Sequence, residues 1–226
     1  MKKTASLLVF FAVSLMAANV WQKPWTEWSD KDVNKVLTDS PWVKSASISM
    51  SFPGGDQAQL SARGGGGGGR GGGPQGDGGG FGGGPSLQIV AHFDSALPVR
   101  QALVKRKFGA EAEKSADAQK VLSEEPKSYE IVLSGPMGMY VMGPPDAVKQ
   151  RLIEATSLSA KSGTIKPTDV QVSKPGRQMD VLFVFPRDKP FTVDDQEVDF
   201  TTKLGTNNLK YKFKLKDMVV NGKLEM

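Results

Sequence analysis

The feature that most constrains this chain is a glycine tract set between two alternating segments. Between Pro53 and Pro85 lie 18 of the 26 glycines. Such a stretch has too little apolar surface to offset its ordering entropy, so it predicts a disordered insertion at 53–85. The flanks read differently. From Trp42 to Phe52, Trp42, Ala46, Ile48, Met50 and Phe52 alternate with Ser45, Ser47, Ser49 and Ser51. Leu87, Ile89, Ala91 and Phe93 alternate in the same way. Each is the pattern of a half-buried strand, so the tract interrupts what would otherwise be a hairpin loop.

The N-terminus has the order of a secretory signal. Lys2 and Lys3 precede an uncharged run to Val20, densest from Leu7 to Leu15, with small residues at Ala17 and Ala18. The apolar run is shorter than the ~20 residues of a spanning helix. We expect a signal peptide at 1–18, and a mature domain at 19–226 without a transmembrane helix, periplasmic or extracellular. Removing two lysines lowers the net charge from +5 to +3. That is too mild to indicate a nucleic-acid or membrane surface. There is no cysteine, which excludes a disulfide framework, a thiolate nucleophile and cysteine metal sites.

Helix signals are sparse but specific. Ser29 and Asp32 read as a capping box, and Trp28 and Val33 as its hydrophobic staple; Pro41 closes the helix. Further helices are expected at Ala96–Lys107, opened by Ser95 or Asp94 with Pro98 in the first turn, at Ala110–Ser123, and from Pro144–Pro145 to about Leu158. Ser128–Ser134 alternates as a strand. Near the C-terminus, a turn over Gly205–Asn208 pairs Phe200 with Phe213, Asp199 with Lys214 and Glu197 with Lys216. Asn221–Gly222 signals another hairpin. The expectation is one α+β domain: a mostly antiparallel sheet, about four helices against one face, and a C-terminal three-stranded meander.

The candidate chemistry is thin. His92 is the one histidine, on a strand's polar face with Asp94, without the serine turn or metal-spaced partner that catalysis would use. Asp194, Asp195, Glu197 and Asp199 have calcium-binding chemistry but no calcium-loop spacing, and strand lysines face two of them. Met137, Met139 and Met142 offer thioethers, soft ligands that also serve as apolar filler. Trp21 and Trp25 are the tryptophans left over once Trp28 and Trp42 are assigned to packing. Trp21, Trp25, Met137, Met139 and Met142 are therefore the candidate ligand-binding residues, with no metal site and no cofactor expected. Arg63 and Arg70 stand in Arg-Gly-Gly runs of the glycine tract, too sparse for nucleic-acid binding.

Two stretches, Trp25–Val33 with Ser40-Pro41-Trp42 and Lys212–Met218 with Gly222–Glu225, together with Ala96–Arg100, resemble an uncharacterised family of signal-peptide-bearing bacterial proteins, often with a glycine-rich insertion after the first strand. The resemblance implies no activity, cofactor or site residue. The expected function is that of an exported, non-enzymatic envelope protein that binds or scaffolds a protein or envelope component. The alternatives are a small-ligand or glycan-binding module and a carboxylate-based hydrolase.

Overall fold

A computed structural model describes residues 19–49, 86–173 and 176–226. The signal-peptide reading and the glycine tract lie outside these residues, as do Met50 and Phe52. The fold is α+β with antiparallel pairing throughout the described residues. Strands β1 (Val43–Ser49), β2 (Ser86–Phe93), β3 (Ser128–Gly135), β6 (Asp169–Val172) and β7 (Met179–Pro186) form one sheet, in the order β1-β2-β3-β7-β6. Strands β4 (Ser157–Ala160), β5 (Gly163–Ile165), β8 (Glu197–Leu204) and β9 (Asn207–Lys214) form a second, in the order β5-β4-β8-β9. The expected hairpin across the glycine tract is present: Ala46 opposes Ile89 and Ile48 opposes Leu87.

The two sheets cover each other, a correction to the expectation of helices against one face of a single sheet. Phe183 of β7 meets Phe200 of β8 at 5.4 Å between ring centroids, and Phe93 of β2 meets Phe213 of β9 edge-on at 4.9 Å. The Tyr211 hydroxyl donates to the Ile89 carbonyl at 3.2 Å, joining the sheets by a buried hydrogen bond. Alternation shows that one face of a strand is buried; it carries no information about what buries it.

Four α-helices border this sandwich: α1 (Asp30–Thr38), α2 (Leu97–Phe108), α3 (Ala116–Ser123) and α4 (Pro145–Ala155). The α1 capping box forms as expected, Ser29 Oγ accepting from the Asp32 amide at 3.2 Å and Asp32 Oδ2 from the Ser29 amide at 3.0 Å. Trp28 and Val33 are both buried in the main core, in accord with the staple. Helix α2 packs against α1 and α3, and α4 against β6 and β8. The helix expected over Ala110–Ser123 is a 3₁₀ turn, Gly109–Glu113, followed by α3 with Ser115 as its cap. Gly109, at φ +57°, closes α2, and the run itself breaks at Lys114–Ser115. Helix α4 ends at Ala155, and the residues expected to extend it form β4. No helix among the described residues is long and apolar enough to cross a membrane.

The β8–β9 hairpin keeps the expected faces in a register shifted by two residues. Phe200 opposes Tyr211, Val198 opposes Phe213, Asp199 opposes Lys212 and Glu197 opposes Lys214. A two-residue turn, Gly205-Thr206, replaces the four-residue one. Gly205 has φ +61°, the first position of a hairpin turn that favours glycine there. A shift of two leaves every side chain on its own face, so the hydrophobic pattern fits both registers. The tail continues through a 3₁₀ turn, Leu215–Met218, into a second hairpin of β10 (Val219–Val220) and β11 (Lys223–Leu224), turning on Asn221 at φ 49° and Gly222 at φ 80°.

Candidate functional site

A cleft of about 980 Å³ opens between α2, α3 and the start of β3. Its floor is built by the junction of β2 and α2. The amides of Asp94 and Ser95 both donate to the Glu130 carbonyl, at 2.8 and 3.4 Å. Ser95 Oγ accepts from the Glu130 amide at 3.1 Å. Ser95 is thus not the helix cap expected from the sequence; it clamps the junction to β3. Phe93 opposes Ile131, so the next pair out, Asp94 in the turn after β2 and Glu130 on β3, faces the cleft.

Leu103, Val104, Phe108 and Val121 supply apolar wall, Val121 with 46% of its surface exposed. Arg100 and Lys107 add positive charge. The Arg100 guanidinium donates to the Glu124 carbonyl at 2.8 Å, tying α2 to the loop after α3. Neither Asp94 nor Glu130 has a salt bridge or side-chain hydrogen bond among the described residues. Burial, then the charges of Glu130 and Asp180, push the Asp94 carboxyl up to about 7. At neutral pH the group can donate or accept a proton, the property of an acid–base residue. Burial also lowers His92 below its usual range, against the opposing pull of Asp180.

The five residues singled out from the sequence do not converge. Trp21 is buried, 8% exposed, and packs edge-on against Trp42 at 5.5 Å. Its rim borders a separate groove with Gln22, Lys44 and Asp217. Trp25 is half-buried, with the Lys105 ammonium 6.0 Å from its ring centre and bonded to its carbonyl at 3.2 Å. Met137 is fully buried in the main core. Met139 and Met142 are exposed and border a groove of about 410 Å³.

Among the described residues no group of three or more His, Asp or Glu side chains is placed to hold a metal ion. Three of the four acidic residues around the start of β8 are engaged internally. Asp195 accepts from the Ser162 and Thr192 amides at 2.7 and 2.9 Å, Asp199 pairs with Lys210 at 2.7 Å, and Glu197 pairs with Lys212. The pairing of Asp94 with Glu130 was not foreseen. The one signal for it was that Glu130 falls on the polar face of an alternating strand; the β2–β3 register that brings the two together is not written in either segment.

The chain matches no protein-family model, no curated protein and no solved structure. The reading of the cleft therefore rests on its own geometry.

Proposed function

We propose that this is an exported protein that acts by binding, with the cleft between α2, α3 and β3 as its ligand surface. Export rests on the N-terminal order of Lys2, Lys3, the apolar run and Ala17–Ala18. The observation that carries the binding reading is the mixed lining of this cleft: an apolar wall, carboxyls at the floor, and Arg100 and Lys107 beside them. Binding sites combine apolar surface with a few placed polar groups in this way. The ligand it suits is a peptide or glycan segment with one apolar side and one hydrogen-bonding side.

The test is a thermal-shift screen of the chain from Asn19 onward with peptides, neutral and charged oligosaccharides and small metabolites. A ligand that binds only the folded chain stabilises it by about 2.7 kcal/mol at a hundredfold excess over its Kd. The shift, read against each protein's own unliganded melt, should disappear in Val121→Asp, which puts a charge on the apolar wall. A ligand whose shift survives Val121→Asp binds elsewhere and refutes the assignment of the cleft.

A second reading, a carboxylate-based hydrolase, is favoured by one observation. Asp94, with its carboxyl at about 7, lies beside Glu130 in that same cleft, and an acid of raised pKa beside a second carboxyl is the arrangement glycoside hydrolysis uses. Hydrolysis of an aryl glycoside that is lost in both Asp94→Asn and Glu130→Gln would select this reading over binding alone.

A further inference from the structure

Met139 and Met142 stand apart from the other described methionines. Their exposures are 54% and 70%, against 0% for Met137, 3% for Met179, 0% for Met218 and 2% for Met226. The exposed pair lies on either side of Tyr140 in a segment anchored independently of the two thioethers. Arg151 Nη2 donates to the Tyr140 carbonyl at 3.1 Å. The Tyr140 ring lies so close to Gly205 that a side-chain carbon there would come within 3.0 Å of it. Met137 is sunk in the core just before the pair. Both thioethers thus reach solvent on a backbone that does not depend on them. Arg151 and Lys203, which border the same groove, supply N–H donors beside them.

We propose that Met139 and Met142 form an oxidant-reactive site, whose substrate is a two-electron oxidant of the peroxide or hypohalous acid class. With hydrogen peroxide, each sulfur attacks one peroxide oxygen. The O–O bond breaks, an S–O bond forms, and the second oxygen leaves as water, taking up the proton that the sulfur-bound oxygen gives up. The sulfur is oxidised by two electrons and the peroxide reduced by two. The product sulfoxide is polar and accepts hydrogen bonds, which the neighbouring cations can donate. Oxidation therefore replaces the two thioethers of the groove with polar sulfoxides without disturbing the core. This proposal is independent of the cleft between α2 and α3.

The experiment is graded hydrogen peroxide treatment of the full chain, followed by peptide mapping by mass spectrometry and a thermal melt. The gain of one oxygen at Met139 and at Met142 should be roughly tenfold or more faster than at Met137, Met179 or Met218, because the reaction follows exposure. The doubly oxidised protein should still melt cooperatively, and Met139→Leu/Met142→Leu should lack this fast uptake. The proposal is overturned if Met137 or Met179 oxidises as fast as the pair, if either member of the pair stays unmodified, or if oxidation of the pair alone abolishes the cooperative melt.

Discussion

Asp94→Asn should stabilise the protein above neutral pH and change little in acid. In the unfolded chain the carboxyl titrates at its ordinary 3.8, whereas in the folded chain burial and the charges of Glu130 and Asp180 push it up to about 7. Below about pH 4 both states hold the proton. Between that point and 7 only the folded state keeps it, so stability falls across this window as pH rises, and it levels off above. The interval from 3.8 to about 7 corresponds to at most about 4 kcal/mol. Water in the open cleft screens the charges, which brings the expected value to about 2–3 kcal/mol. Asparagine keeps the shape and never ionises. Urea denaturation of both proteins from pH 4.5 to 8 reads the difference directly. The lowered His92 and the raised Glu225, both shifted first by burial, titrate in the two proteins alike and cancel. The gap in stability should open with rising pH and reach its full size by pH 8. A gap that is constant with pH, or below about 0.5 kcal/mol at pH 8, would show that Asp94 is an ordinary solvated carboxylate.

Three further substitutions probe the fold around the two sheets. Gly135→Ala should cost about 2 kcal/mol or more by denaturant melt, because the added carbon would lie 2.7 Å from Ile89 Cδ1 and 2.9 Å from the Gln88 carbonyl oxygen, an overpacked contact with backbone on one side. Tyr129→Phe should cost about 1–3 kcal/mol, since the hydroxyl accepts from the buried Phe191 amide at 2.8 Å and its loss leaves that donor unsatisfied. Ser29→Ala should cost about 1 kcal/mol by removing the α1 cap that accepts from the Asp32 amide, and Ser29→Gly should recover most of that loss.

The local elements were legible where a residue type answers a local demand. Ser29 and Asp32 announce the start of α1 because an N-cap needs an acceptor three residues before a matching carboxylate. Asn221–Gly222 announces its turn because both positions take positive φ. Where two readings meet the same local demand, the sequence misled. The β8–β9 register could slide by two without exposing Phe200 or Phe213. The helical composition of Ala110–Ser123 concealed a break at Lys114–Ser115. The candidate site was the least legible part. Trp21 lies edge-on against Trp42 with its rim on a groove, and the half-buried ring of Trp25 sits beneath Lys105. Aromatic composition alone does not distinguish a core ring from an exposed one.

The sequence by itself determined the strand faces, the α1 cap, the hairpin joining β1 to β2 and the absence of thiol chemistry, because each depends on residue type and near neighbours. Only the tertiary structure decided that two sheets close on each other, that Asp94 and Glu130 share a cleft floor, and that Met137 is buried while Met139 and Met142 reach solvent. Those outcomes depend on the register between β2 and β3 and on which surface covers each apolar face. Alternation with a period of two leaves both open, and only the packing of the whole chain resolves them.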